Sequence, residues 1–269
     1  MKTLYLVVLV LFLSAIPVAA ELPKVESVVD RVENAIHAGQ SGSRKLAFIV
    51  KEGQQITGEW IARAAYKKFN GETRALMVIL EPENLKGTGH IFCKEDSKPA
   101  SQWVYYPTTR RVRELSRLTI YESFLGTDFT HADFGLQDPG GTYRILGEEI
   151  HEGEKAYKLE NIPKEKWFYS KIISWVSIET YLPIQHDYYD STGRLWKSKL
   201  FENIVTVNNV PIPLRIRMID VQRNRSTEIL ISDVCYDADY LTKEDFDPEK
   251  LPTATLSPVC KVRPVEQNK

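Results

Sequence analysis

The chain has 269 residues, 43% hydrophobic and 26% charged, with 35 basic against 36 acidic side chains for a net charge of −1. So even a balance excludes bulk electrostatics as the means of partner choice, and with it general nucleic-acid binding, which needs a net basic footprint. The length fits one large or two small domains, and an all-β sheet or barrel of roughly 200–250 residues is often a single domain.

Residues 1–20 read as a secretory leader. Lys2 supplies the positive n-region, Leu4 to Ile16 the apolar h-region, and Val18-Ala19-Ala20 the small residues before a cleavage at Glu21. The alternative is an N-terminal anchor, for which the h-region is short. No cysteine lies near the cleavage site, so no lipid attachment is expected there, and no later apolar run is long enough for a transmembrane helix. The expected compartment is the periplasm.

Val25, Val28, Val29, Val32, Ala35 and Ile36 fall at helical spacing, which predicts an amphipathic helix ending near Gly39. Strands are then expected at Arg44–Glu52 and Gly58–Phe69, the second joined by Asn70-Gly71 to Glu72–Leu80, the strongest hairpin signal in the chain. Ala75 to Leu80 is apolar on both faces, as for a strand covered on both sides. Further strands are expected at Gly89–Lys94, Gln102–Tyr106, Arg110–Leu115, Gly141–Ile150, Glu154–Glu160, Lys171–Glu179, Pro183–Tyr189, Leu195–Val207, Val210–Gln222 and Thr227–Tyr236. The short, turn-like connections between them imply an antiparallel meander rather than βαβ units. Two stretches interrupt it: Ser116–Gly140, a long loop with a short helix near Leu118–Phe124, and Ile162–Ser170, with a helical turn after Pro163. Residues 251–269 are Pro-rich and polar and read as a loosely held tail after a domain spanning 21–250.

The fold class implied is mainly β: a strongly curved antiparallel sheet with a helix against its concave face. A sheet that curls without closing leaves an apolar interior that needs a plug or a ligand. An oxidising compartment permits a disulfide among Cys93, Cys235 and Cys260. Three single pairings exist. Cys235–Cys260 would tie the tail to the last strand, and buried unpaired thiols are the alternative.

The most informative stretch is Trp103 to Phe134. Arg110, Arg111 and Arg113, with Arg117 beyond, form the densest basic cluster, suited to an oxyanion, a lipid head group or an acidic partner face. The bland alternative is a solvated strand with ordinary ion pairs. Trp103, Tyr105, Tyr121, Phe124, Leu125 and Phe129 are the candidates to line a lipid cavity or its lid, against simple core packing. In a strand Trp103 and Tyr105 share one face and Val104 and Tyr106 the other, so only one pair can face a cavity. Gly126-Thr127-Asp128 reads as a turn in which Thr and Asp cap backbone donors.

The order Trp103-x-Tyr105-x-Pro107, Arg110-Arg111-Val112-Arg113, Ser123-Phe124-x-Gly126-Thr127-Asp128-Phe129 and Asp133 resembles the bacterial outer membrane lipoprotein-sorting group, whose domain is LolA-like. The resemblance continues through Gly147-Glu148-Glu149, Tyr157, Pro183, Tyr189-Asp190 and Val210-Pro211-Ile212-Pro213; His131-Ala132-Asp133-Phe134 departs from the group's usual Tyr-Glu-Asp-Leu. It implies an unclosed β-barrel (LolA/LolB-like) with a helical lid, a hydrophobic cavity, a lipid or acylated protein as partner, and an RND-family exporter as a further one. The expectation is therefore a non-catalytic periplasmic carrier or chaperone, without cofactor or metal. An envelope scaffold is the second reading and a lipid hydrolase using Ser123 the third. Ser123, His131 and Asp133 supply the residue types of a triad, but the G-x-S-x-G elbow and metal-binding histidine spacings are absent.

Overall fold

A computed structural model of the chain describes residues 22–36, 39–95, 98, 100–134, 140–164, 168–236 and 238–256. The expected leader, the middle of the Ile162–Ser170 stretch and Cys260 lie outside the described residues.

The predicted helix is α1 (Val25–Ile36). The strands are β1 (Ser41–Glu52), β2 (Gln55–Phe69), β3 (Glu72–Glu81), β4 (Gly89–Glu95), β5 (Ser101–Tyr106), β6 (Arg111–Glu114), β7 (Thr142–His151), β8 (Glu154–Ile162), β9 (Lys171–Ser177), β10 (Pro183–Tyr189), β11 (Leu195–Val207), β12 (Val210–Asp220) and β13 (Arg225–Tyr236). Each corresponds to a strand expected from the sequence. Tight turns join them because the turn residues tolerate left-handed backbone: Gly71 (φ 77°) in the β2–β3 hairpin, Glu152 and Gly153 (φ 49° and 85°) between β7 and β8, and Asn208 and Asn209 (φ 48° and 61°) between β11 and β12.

All thirteen strands form one antiparallel sheet in the order β6-β5-β4-β3-β2-β1-β13-β12-β11-β10-β9-β8-β7. The first and last strands pair centrally, with Leu46 opposite Ile231 and Phe48 opposite Ile229. The two free edges are β6 and β7, which are neighbours in sequence, so the sheet does not close. One core cluster joins Met77 and Ile79 of β3 to Ile172 of β9 and Tyr188 of β10. The same cluster takes in β1, β2, β12 and β13 and the inserted rings Phe124 and Phe129, which reach His90 on β4 and Lys199 on β11, so the sheet curves around a common inner face.

Period-two alternation decides which residues face inward. On β1 these are Leu46, Phe48 and Val50, and on β2 Trp60 and Ala62, all buried. Along Leu76–Ile79 every side chain is buried, because Met77 and Ile79 belong to the inner cluster while Leu76 and Val78 face a second cluster outside. The doubly apolar run read from the sequence is therefore a strand covered on both faces. Its outer cover is the segment after β13, which lays Ala238, Leu241, Phe246 and Leu251 over β2–β5. Leu251, placed by the sequence reading at the start of a loose tail, is 1% exposed within the 3-10 helix Pro248–Thr253. A side chain at Gly89 would not fit beneath it, since a Cβ there would stand 2.5 Å from Leu251 Cδ1.

Helix α1 covers the other end of the sheet. Val28 packs on Tyr157, Leu159 and Val176, and Arg31 Nη1 donates to Tyr181 Oη at 2.8 Å. Val28 is the only buried residue of α1, and Ile36 is 49% exposed, so the helix shields this part of the inner face lightly. Among the described residues no helix is long and apolar enough to cross a membrane.

Candidate functional site

The chain from β6 to β7 passes from one free edge of the sheet to the other. Its centre, Ser123–Thr130, is a closed hairpin that satisfies its own backbone. Ser123 pairs with Thr130, and Phe124 N donates to Phe129 O at 2.9 Å. Ser123 Oγ donates to Thr127 O at 2.6 Å, and Thr127 Oγ1 donates to Phe124 O at 2.6 Å. Leu125 and Gly126 take left-handed backbone (φ 49° and 76°) at the tip. Asp133 then caps α2 (His131–Phe134): its carboxylate accepts from Thr130 N at 2.7 Å and from Thr130 Oγ1 at 2.8 Å. The polar residues of the motif thus build a turn, as the sequence suggested for Gly126-Thr127-Asp128.

This hairpin plugs the inner face. Phe124 and Phe129 are buried in the main core, with Phe124 6.1 Å from Phe48 and both rings against Phe134 at 4.8 and 5.3 Å. Three side chains of the sheet pin its tip. Lys197 Nζ donates to Asp128 O at 2.7 Å, Arg225 Nη2 donates to Gly126 O at 2.8 Å, and Thr227 Oγ1 donates to Asp128 Oδ2 at 2.8 Å while accepting from Asp128 N at 2.9 Å. Burial pushes the Asp128 carboxyl up, opposed by the Thr227 hydrogen bond and the Arg225 charge. Burial pushes the Lys197 ammonium down, opposed by Asp133, Asp220 and Asp128. Replacing Thr227 by the isosteric valine is expected to cost about 2 kcal/mol, since it strips a buried carboxylate of a donor. Urea unfolding and limited proteolysis between residues 123 and 130 will register it; unchanged stability and cleavage would show that this bond does not hold the plug.

Between the plug and α1, part of the inner face is left only half covered. Ser174 on β9, His186 on β10, Lys199 and Phe201 on β11, and Leu214 and Ile216 on β12 are all half-buried, although each points inward. Register places them side by side, with Ser174 opposite His186, His186 opposite Lys199, and Phe201 opposite Ile216. His186 Nδ1 lies 2.7 Å from Ser174 Oγ. Its imidazole is pushed down to about 3, chiefly by burial and then by the Lys199 charge.

Other expected site residues separate. Trp103 and Tyr105 face outward and pack with Val112 and Leu251, on the opposite side of the sheet from Phe124 and Phe129. Gln102, Val104 and Tyr106 are the inward residues of that strand, and Val104 is buried. Tyr121 lies tilted against Phe168 with ring centres 4.7 Å apart, and Leu125 is half-buried against the core. Arg110, Arg111 and Arg113 are exposed at the β5–β6 turn and on edge strand β6, and their side chains take no carboxylate partner among the described residues. Arg111 and Arg113 stand opposite Tyr106 and Val104, hence on the inward side of the rim. Burial raises the Tyr106 phenol and the nearby Arg113 charge lowers it.

Ser123, His131 and Asp133 do not form a triad. Ser123 and Asp133 are committed to the loop backbone and to Thr130, and the His131 ring stands against His90 and Phe124 at 4.9 and 5.4 Å. Cys93 is a free, buried thiol and Cys235 is buried at the end of β13; the expected partner of Cys235 lies outside the described residues. Among the described residues no group of His, Cys, Asp and Glu could hold a metal ion.

Lys199, His186 and Ser174 were not singled out by sequence. Lys197 and Lys199 alternate with Ser198 and Leu200, a pattern that marks two faces of a strand without saying which is inside.

An unclosed antiparallel sheet, curved around a plugged and partly open inner face, defines a LolA-like fold. A family model described as an uncharacterized protein matches residues 71–253, and the chain belongs to that family. Its fold is that of the LolA-like lipoprotein-sorting group that the sequence resembles. A DUF1329 family protein from Desulfovibrio piger is similar at 24% identity and a TM-score of 0.77, covering 84% of this chain and 98% of that one. An outer membrane lipoprotein-sorting protein domain from Vibrio parahaemolyticus aligns at 22% identity and a TM-score of 0.78, covering 84% and 97%. A LolA superfamily protein from Nitrosomonas europaea aligns at 20% identity and a TM-score of 0.63, covering 84% and 98%. No curated protein matches the chain.

Proposed function

We propose that the protein is a non-catalytic periplasmic carrier that takes up a lipid or the acyl chains of a modified protein on the open part of its inner face. The observation that carries this reading is the run of inward-facing but half-buried apolar side chains, Phe201, Leu214 and Ile216, between α1 and the plug. Inward residues on β1 and along the middle of β2 and β3 are buried by packing; here apolar surface is left for something else to cover. Each CH₂ buried there contributes about 0.8 kcal/mol, so a short length of acyl chain suffices for useful affinity. The LolA-like fold supports the same reading.

The exposed arginines at the β6 edge would then be the docking rim, for anionic lipid or for a membrane exporter of the RND class. The free edges β6 and β7 favour a second reading, an envelope interaction module that adds a partner strand. Native mass spectrometry of the purified protein separates the two. Co-purifying or added lipid retained in the gas phase is expected of the carrier. A protein that never retains lipid, and whose apolar face takes up no lipophilic probe, is not one.

A further inference from the structure

Two lysines lie two residues apart on the inner side of β11, and they differ. Lys197 is buried and fully employed on the Asp128 carbonyl. Lys199 has no hydrogen bond or ion pair among the described residues. Its neighbours are the faces of Phe129 and Phe201, at 5.6 and 5.5 Å from Nζ. Ring faces compensate a cation only in part. The acid that acts on it, Asp133, does so through space, its Oδ2 being bonded to Thr130. Burial pushes the Lys199 ammonium down and the Asp133 charge offsets this only in part, so the cation stands among rings with no direct ion pair among the described residues.

The surroundings fit an anion. Directly opposite on β10 stands His186, held neutral at physiological pH by burial. In the tautomer in which Ser174 Oγ donates to Nδ1, His186 Nε2 carries the proton and is a second, neutral donor at the position opposite Lys199. Beyond this pair the inner face is apolar, Phe201 opposite Ile216 and then Leu214. Polar end and apolar run together match a molecule with one charged head and one chain.

We propose that Lys199, with His186 beside it, seats the head group of a single-chain anionic amphiphile, a carboxylate or phosphate monoester, whose chain lies over Phe201, Ile216 and Leu214. The proposal rests on the carrier reading and narrows its cargo. It also separates the deep lysine from the rim arginines, which meet solvent.

Displacement of the uncharged fluorophore N-phenyl-1-naphthylamine tests it. Laurate and dodecyl phosphate are expected to displace the probe at concentrations at least tenfold below dodecanol, because only the anions gain the ammonium contact. Lys199→Met should reduce that preference to under threefold and Lys199→Arg should keep it. Lys199→Met should also melt no lower than the parent, since it removes an unpaired charge rather than a structural bond. Equal displacement by acid and alcohol, a preference that survives Lys199→Met, or a Lys199→Met variant that does not fold would each overturn the proposal while leaving the carrier reading in place. Failure of the parent protein to take up the probe at all would instead remove the carrier reading and this inference with it.

Discussion

Replacing Phe129 by alanine is expected to destabilise the protein by about 3–5 kcal/mol, the range for deleting a buried aromatic ring. For a chain of this size that is a fall in melting temperature of roughly 10 °C. Phe129 is 1% exposed and touches both the plug, through Phe134, and the sheet core. Its carbonyl accepts from Phe124 N, so the cavity left behind would sit under the hairpin's own pairing. The hairpin cannot collapse to fill the space while Lys197, Arg225 and Thr227 hold its tip. Circular dichroism melting gives the measurement. A drop of under 2 °C would mean that the Ser123–Thr130 hairpin is not part of the cooperative core and moves as a free lid.

Acidification is expected to weaken the same region. His131 is buried at the start of α2, and burial holds its pKa down to about 4. His90, packed edge-on against it, is pushed well below the ordinary value, first by burial and then by the His131 charge. His90 Nε2 meets Gln102 Oε1 at 3.1 Å, while Nδ1 of both histidines has no hydrogen-bond partner among the described residues. A depressed histidine pKa means the folded state binds fewer protons than the unfolded one. The stability is therefore fully present above pH 6.5 and is lost as the pH falls from 6.5 toward 4. At pH 5 His131 alone accounts for about 2 kcal/mol of that loss. His186 acts in the same direction down to about pH 3. Asp128 opposes it near the acid end, because a raised carboxyl pKa adds stability on protonation. Denaturant unfolding at pH 7.5 and pH 5.0 reads the effect, and His131→Phe, which keeps an aromatic ring and removes the proton site, should diminish it. A pH-independent stability, or an unaltered slope in His131→Phe, would show that protonation at this contact is not felt.

Most of the strands were legible because they are runs rich in β-branched and aromatic residues bounded by turn residues, and because hairpin turns act locally. The helix was legible from its valine spacing for the same reason. Gly126-Thr127-Asp128 was legible as a turn, and Ser123 and Thr127 serve the adjacent backbone, but the Asp128 carboxylate takes Thr227 of β13 instead of a local donor. What these local signals could not show was which side of each strand faces inward. Trp103 and Tyr105 are the clearest case: alternation paired them, but only the segment ending in Leu251 made their side of β5 the outer one. Residues 238–256 carry weak local patterning, and their role as a cover depends on contacts with strands more than a hundred positions earlier.

Sequence by itself therefore determined the antiparallel meander, the positions of its turns, the leading helix and the family likeness, because these rest on periodicity and short-range hydrogen bonding. Tertiary structure alone decided that Phe124 and Phe129 form a pinned plug, that the arginines stand at an edge, and that Lys199 lies inward without a hydrogen bond or ion pair among the described residues. Inside and outside are properties of the curved sheet and of what packs on it, and a period of two fixes them only up to a choice of face.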